Sequence, residues 1–235
     1  MSYLTQTSRF LNDAAGLEKT LRLLQALTQI CASYAPNPQP WLQARKQIAL
    51  GRRYFRPGKI VPAFTASASA FHKPPGTSIS LLNLLDSTRW LCQGLYILLE
   101  SFTLLDAMGV CDHEWADWLF IEGQKFWFYA IFHGVVIGLL ELLMVNSTPI
   151  AVPTKTKESS KTEEDEKNEL EQKSQIQRNR RLKVMKQLVV DGCDLFVPGP
   201  STGWLVVSST KVGVLMTVSS VVAGTDIWER VQGSG

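Results

Sequence analysis

The first third of the chain alternates apolar and polar residues at helical spacing. From Leu17 to Cys31 the apolar positions recur every three or four residues, and charged or amide side chains mostly occupy the positions between them. Asn12 or Asp13 can cap this helix, because a short polar side chain accepts a hydrogen bond from a free backbone N–H. The prolines that follow Ala35 cannot continue it, so the pattern predicts an amphipathic helix that ends at Ala35.

Two further helices are predicted before the middle of the chain. A basic helix runs from about Trp41 to Arg56 and stops at Pro57-Gly58. The small residues of AFTASASAF and the KPPG sequence then predict a connector without regular structure. A longer helix is predicted from Ser80 to about Ala107.

This longer helix has one apolar and one polar stripe. The apolar stripe consists of Leu81, Leu84, Thr88, Leu91, Leu95, Leu98, Phe102 and Leu105. The polar stripe consists of Asn83, Asp86, Arg89, Gln93 and Glu100. Its charges would be costly in a segment that crosses a bilayer. We therefore expect the apolar stripe to pack against a neighbouring helix or to lie on a membrane.

The second half contains two candidate membrane spans. Residues 126–145 form an apolar stretch whose 20 residues match the length needed to cross a bilayer. Tryptophans and a tyrosine cluster at its start, as is typical of the membrane–water interface. A second stretch, 204–224, is rich in Val and Leu, but Lys211 opposes insertion, so we predict a marginal span, with a hairpin buried in one leaflet as the alternative.

A charged segment separates the two candidates. Residues 154–183 contain seven acids and nine bases, a composition that favours a solvated, partly disordered loop with a helical C-terminal part. The sequence thus predicts an all-α, membrane-associated protein in four parts. These are an amphipathic region that binds the membrane surface (1–125), a span (126–145), a charged loop ending in a helix (146–203) and a marginal membrane segment (204–228).

Charge is distributed unevenly along the amphipathic region. Nine Lys or Arg and no acid occur from residue 19 to residue 85, and six of these cations lie between Trp41 and Lys59. On a helix most of the six fall within an arc of about 120°, opposite an apolar and aromatic face. This arrangement suits an anionic phospholipid surface. An ordinary solvated helix face and an acidic protein partner are the alternative interpretations.

The candidate membrane-binding residues combine this cationic arc with its apolar neighbours. They are Trp41, Arg45, Lys46, Ile48, Arg52, Arg53, Tyr54, Phe55, Arg56 and Lys59. Nucleic acid is the less favoured partner, because the sequence has neither a zinc-finger pattern nor an aromatic RNA-reading motif. In the first span, Gly134 and Gly138 form a GxxxG pair, which lets helices approach closely. The pair either marks a helix–helix contact, within the molecule or between copies, or consists of incidental small residues.

Catalytic and metal-binding patterns are absent from the sequence. Asp112, His113, Glu114 and Asp117 could be read as a metal cluster, but a solvated turn before the first span is the simpler interpretation. The serines have no nucleophile-elbow setting, and no glycine-rich phosphate loop occurs. We therefore expect no enzyme activity, no metal site and no cofactor.

Several motifs together resemble one family, the peroxisome-proliferating peroxins (the peroxisomal biogenesis factor eleven family). The opening FLNDAAGLEKTLRLLQ, the stretch from Gly51 to Lys59, LKVMKQLVVDGCDLFVP and a closing Gly…Ser-Ser helix carry the resemblance in order. The carrying residues include Phe10, Leu11, Gly16, Lys19, Arg22, Gln25, Asp194, Gly213, Ser219, Ser220, Gly224 and Trp228. Leu17 and Pro57 depart from the pattern, which indicates a divergent, fungal-type member.

The resemblance implies a peroxisomal membrane protein without enzymatic activity. Family members insert amphipathic helices into the cytosolic leaflet, elongate the organelle before fission, form homo-oligomers and work with the membrane-fission machinery. An oligomeric pore for small metabolites is the alternative, with a lumen lined by the polar stripe of the Ser80–Ala107 helix and by Glu141 and Lys211.

Overall fold

The computed structural model describes residues 3–72, 79–147 and 163–233, and throughout these ranges the regular structure is helical. The first five helices are α1 (Tyr3–Asn12), α2 (Ala14–Tyr34), α3 (Gln39–Arg53), α4 (Ile60–Phe71) and α5 (Ile79–Phe102). The next five are α6 (Leu104–Ala107), α7 (Ala116–Ser147), α8 (Glu163–Asp194), α9 (Gly199–Thr202) and α10 (Ser209–Gly233). The all-α prediction is confirmed.

The N-terminal helices meet at a tight corner. The carboxylate of Asp13 accepts hydrogen bonds from the backbone N–H groups of Ala15 (3.0 Å) and Gly16 (3.1 Å), which confirms the predicted cap. A Cβ at Gly16 would lie 2.1 Å from the carbonyl oxygen of Phe10, so only glycine fits there. The helix predicted to end at Ala35 ends at Tyr34.

The small-residue part of the predicted connector is wrong, because residues 60–71 form α4. The KPPG part, residues 73–76, lies outside the described ranges. Alanine and serine give weak amphipathic contrast, but they allow helices to approach closely. The hydroxyl of Ser67 donates to the carbonyl of Ser87 (2.8 Å), and the Ser87 hydroxyl donates back to the Ser67 carbonyl (2.9 Å). A Cβ at Gly94 would lie 3.1 Å from the Phe64 ring. The small residues therefore join α4 to α5.

The larger helices pack in a chain of neighbours. α5 lies between α4 and α7, α10 packs on α2 and α8, and α8 also packs on α7. α7 and α8 run antiparallel, because the side chain of Gln177 donates to the Val145 carbonyl (2.9 Å) while Gly134 faces Asp191. Since Gln177 is level with the end of α7, the first 14 residues of α8 extend about 20 Å beyond it.

Most of the predicted apolar stripe is exposed and one residue of the polar stripe is buried, which is the opposite of what a helix in a soluble protein shows. Five of the eight apolar-stripe residues are exposed: Leu81, Leu84, Leu91, Phe102 and Leu105. In the polar stripe Glu100 is only 4% exposed. Of the two expected environments, a neighbouring helix and a membrane, the structure does not provide the first for these five residues.

Among the described helices, only α7 is long and apolar enough to cross a membrane, over Ala116–Val145. It begins ten residues before the predicted span. Only 22% of its most apolar stretch is buried within the protein, whereas the core helix of a soluble protein is mostly buried. The second predicted membrane segment, 204–224, differs more from the structure. Residues 204–208 are not helical, and α10 begins at Ser209.

The charged segment contains more helix than its composition indicates. α8 is 32 residues long and begins at Glu163, so the predicted C-terminal helix extends back into the acidic block. Residues 148–162, in which the disordered part of the loop was predicted, lie outside the described ranges.

Candidate membrane interface and polar interior

The cations of the basic stretch turn toward the protein. Arg52 is 6% exposed; its guanidinium donates to the side-chain oxygen of Gln25 (2.7 Å) and lies 3.9 Å from the Glu18 carboxylate. Lys59, half exposed, also pairs with Glu18. The basic stretch is therefore held against α2 by an acid that lies just before the acid-free run begins.

Glu100 of α5 joins two more of these cations. Its carboxylate lies 3.3 Å from the guanidinium of Arg53 and accepts a hydrogen bond from Arg56. Arg56 also donates to the Tyr96 hydroxyl, and Arg53 stacks over the Phe120 ring at 4.6 Å. One buried carboxylate thus connects the turn after α3 to α5.

A third ion pair crosses the interior between α2 and α8. The guanidinium of Arg22 donates two hydrogen bonds to the carboxylate of Asp194, one of them 2.9 Å long. Arg22 is 5% exposed and Asp194 is 8% exposed. Bidentate pairs of this kind fix geometry as well as charge. The sequence contains both residues in its family-like motifs, but periodicity alone did not pair them.

The predicted cationic arc therefore faces protein. Arg52, Arg53 and Arg56 have ion-pair partners inside the bundle, which corrects the orientation expected from the helical arc. Arg45 and Ile48 are half-buried, and Lys46 is exposed. Lipid contact by this segment stays a prediction.

The aromatic residues of the segment point outward. Trp41 is 41% exposed at the start of α3, and Tyr54 and Phe55 are 48% and 49% exposed just after its end. Leu42 is also exposed. Side chains with an apolar body and a polar tip are typical of the membrane–water interface.

The apolar exterior continues over other helices. On α7 the exposed large residues include Trp118, Ile121, Tyr129, Phe132, Leu139 and Leu143, and on α10 they are Val214, Val218 and Val221. The opposite side of α10 buries Met216, Ser219 and Ser220. Trp204 contacts the rings of Phe128 (5.0 Å) and Tyr129 (5.4 Å) of α7.

The GxxxG glycines face α8 within the same molecule. A Cβ at Gly134 would lie 2.7 Å from a carboxylate oxygen of Asp191, and a Cβ at Gly138 would lie 3.3 Å from Leu188. Asp191 lies 3.7 Å from Arg89 of α5. The glycines thus make room for a polar contact that involves α5, α7 and α8.

The Asp112–Asp117 turn has a local structural role. His113 donates its backbone N–H to the Asp106 carboxylate (2.8 Å), places Nδ1 at the same distance from it and stacks on Trp115. Burial raises the pKa of Asp106, but these hydrogen bonds outweigh burial and hold that pKa below its usual value. In the described ranges no three metal-ligating side chains converge.

The family-like motifs meet in space at the two ends of the chain. Phe10 packs on Trp228 with ring centroids 5.6 Å apart, and Gln232 donates to the Gln6 carbonyl (3.0 Å). A Cβ at Gly213 would lie 2.8 Å from Ile30, so α10 approaches α2 closely. The motif residues therefore hold α1, α2 and α10 together.

Comparison with known families confirms the resemblance seen in the sequence. The family Peroxisomal biogenesis factor 11 (PEX11) matches over residues 4–228, which is almost the whole chain. Neither the curated proteins nor the solved structures contain a significant match. The chain therefore belongs to the PEX11 family, a family of peroxisome biogenesis factors and not of enzymes.

Proposed function

We propose that this protein is a non-enzymatic component of the peroxisomal membrane that elongates the organelle and promotes its proliferation and fission. The observation that carries the proposal is that large apolar side chains lie exposed on α5, α7 and α10, while ion-paired residues such as Arg22, Glu100 and Asp194 are buried beside a small apolar core. A bilayer accommodates such an exterior, whereas water does not. α7 is the segment that crosses the membrane.

The remodelling step is assigned to α3 and the turn that follows it. Trp41, Leu42, Tyr54 and Phe55 enter the headgroup region of the cytosolic leaflet and expand that leaflet relative to the other. Lys46 and the exposed part of Lys59 remain to attract anionic phospholipid, at roughly 1 kcal/mol per cation. Arg52, Arg53 and Arg56 hold this segment in place through Glu18 and Glu100.

Homo-oligomers of the protein would combine many such insertions and present an elongated membrane to the fission machinery. A single α3 covers about four turns, so bending requires several copies and the neighbouring helices. A tagged chain that is overproduced should localise to peroxisomes and lengthen them.

Vesicle reconstitution tests the mechanism. The full chain in anionic vesicles should form tubules, and a variant with Trp41→Ser, Tyr54→Ser and Phe55→Ser should form at least several-fold fewer. Val206→Ser is the matched control, because Val206 is fully exposed outside this segment. Equal tubulation by the triple variant and by the control would show that the aromatic residues do not act as the wedge.

An alternative function, a pore for small metabolites, is favoured by one cavity. A cavity of about 280 Å³ is lined by Asn83, Asp86, Arg89 and Glu141. These are four of the residues predicted to line a lumen. Gln93 borders a different cavity, Glu100 is ion-paired, and Lys211 is exposed.

Metabolite flux through reconstituted vesicles separates the two functions. A pore predicts flux that falls in the double variant Asp86→Asn, Glu141→Gln while the variant remains folded. Tubulation without flux favours remodelling alone.

A further inference from the structure

The interior contains a concentration of positive charge that its acids do not balance. We name Arg22, Arg45, Arg52, Arg53 and Arg56 the arginine cluster. These five residues line one cavity of about 170 Å³ between α2, α3, α5 and α7, and Tyr96 and Gln124 contribute hydroxyl and amide groups to its wall. Most of the cluster therefore surrounds a shared space rather than facing outward.

The charges around this cavity do not cancel. A second cavity of about 150 Å³ adjoins it and shares Arg22, Arg52 and Arg56 as lining residues. The two cavities together are lined by the cluster and Lys59, six cations in all, and by three acids: Glu18, Glu100 and Asp194. Three positive charges are thus left without a counter-charge in the lining. Buried charge is costly unless it is paired.

Three guanidinium groups also have an unused donor. Within the part of the chain that the structure describes, the Nε atoms of Arg22, Arg45 and Arg52 are buried and have no hydrogen-bond partner. Arg22 and Arg52 are 5% and 6% exposed, so bulk water does not cover them. An orphaned buried donor destabilises the fold, and more so when it is charged. Three such unpaired N–H donors around one cavity indicate that a hydrogen-bond acceptor binds there.

The pKa values of two arginines in the cluster are also consistent with a missing acceptor. Burial and the neighbouring positive charges of Arg56 and Arg22 together lower the pKa of Arg52 to about 9, although Glu18 opposes this shift. Burial also lowers the pKa of Arg45. A bound anion would reverse both effects.

We propose that the arginine cluster is a binding site for a small oxyanion of the phosphate class, held by guanidinium N–H groups inside the bundle. Guanidinium forks match the oxygens of phosphate in pairs, whereas a lone halide would use fewer donors. A volume of 170 Å³ corresponds to about five or six water molecules, which admits one such ion but not a nucleotide.

A larger polar cavity of about 390 Å³ lies at the turn before α7 and shares Ala49, Arg53 and Phe120 with the arginine cavity. Its wall contains Lys46 as well as the acids Asp106, Asp112 and Asp117. The same phosphate chemistry is present in an anionic lipid headgroup, so the test must distinguish the two sources.

Calorimetric titration of the full chain in nanodiscs of zwitterionic lipid tests the proposal, with inorganic phosphate as the probe at constant ionic strength. We expect saturable binding. In a second arm the nanodiscs contain phosphatidic acid, and the same titration with inorganic phosphate is repeated. Loss of phosphate binding in that arm identifies the headgroup as the occupant, and unchanged binding identifies the soluble ion.

Arg45→Gln is the decisive variant, because no described ion pair or hydrogen bond depends on Arg45 and the fold should be kept. Phosphate binding should weaken at least about tenfold, the equivalent of one charged hydrogen bond. Arg180→Gln, on the exposed polar part of α8, should bind like the parent chain. Absence of saturable phosphate binding in the parent chain, or equal affinity in Arg45→Gln and Arg180→Gln, would overturn the proposal.

Discussion

Glu100 is the residue on which the interior most depends. Its buried carboxylate balances Arg53 and Arg56, and both cations would be left near one another without it. Breaking a buried pair from one side leaves an uncompensated charge, which typically costs more than the pair itself contributes. The structure therefore makes Glu100 a stabilising residue and removes it from any lumen.

The variant Glu100→Gln should lower the free energy of unfolding by about 3–5 kcal/mol. Glu122→Gln is the matched control, because Glu122 pairs with Lys125 one turn away and both side chains are about 30% exposed. The control should change stability by less than about 1 kcal/mol. Chemical unfolding in detergent measures both, and similar losses in the two variants would contradict a central role for Glu100.

A second prediction for a single residue concerns Gly213. A Cβ there would lie 2.8 Å from Ile30 and 3.3 Å from the carbonyl oxygen of Ala26, which cannot move without moving α2. Gly213→Ala should therefore destabilise the protein by about 1–3 kcal/mol, despite the better helix propensity of alanine.

Gly224 of the same helix provides the control for this prediction. A Cβ at Gly224 would have no described atom within 4 Å, so Gly224→Ala should be neutral or stabilising by up to about 1 kcal/mol. Thermal unfolding in detergent compares the two. If Gly213→Ala is as stable as Gly224→Ala, the close contact of α10 with α2 is wrong.

At the scale of elements, α7 meets α8 through its two glycines. The arrangement favours the contact within the molecule over the one between copies, because Asp191 and Leu188 already fill the space above Gly134 and Gly138. A homo-oligomer would therefore assemble through other surfaces.

Gly134→Leu tests this contact. The added side chain would displace Asp191 and separate it from Arg89, so thermal stability should fall while the oligomer mass, measured by light scattering, stays the same. Gly192→Leu on α8 is the control, since no described atom lies within 4 Å of a Cβ there. Loss of oligomers in Gly134→Leu without loss of stability would assign the glycines to contacts between copies.

The helices themselves follow from local sequence, but their orientation does not. Prolines after Ala35, the cap at Asp13 and the spacing of leucines predict α2 closely. They also predict α5, but the helix expected to run to Ala107 is interrupted at Thr103, between α5 and α6. An amphipathic helix has two faces, and its pattern alone does not state which one meets protein. The acids that orient α3 and the turn after it are Glu18 and Glu100, which lie 41 residues from Lys59 and 44 residues from Arg56. The acid-free run therefore indicated an external anionic partner. In the structure the anionic partners are Glu18, before that run in the sequence, and Glu100, after it.

At the scale of the whole molecule, a polar interior and an apolar exterior are two aspects of one arrangement. Arg22 and Asp194 meet across 172 residues and draw α2 and α8 together. Many large hydrophobic residues lie on the outside of α5, α7 and α10, although Ile97, Ile131 and Met216 of the same helices are buried. α4 was missed because alanine and serine carry little hydrophobic contrast, although they allow the close packing that closes the bundle.

Lipid contact by this exterior is the central claim, and collision accessibility of spin labels in vesicles measures it most directly. Labels placed singly at Leu91, Leu139 and Val218, in a chain without its native cysteines, should collide frequently with oxygen and rarely with a water-soluble nickel complex. A label at Arg180, on the polar part of α8, should show the reverse. If the three apolar sites resemble Arg180, or are shielded from both reagents, the apolar exterior does not face lipid and the membrane-embedded arrangement is wrong.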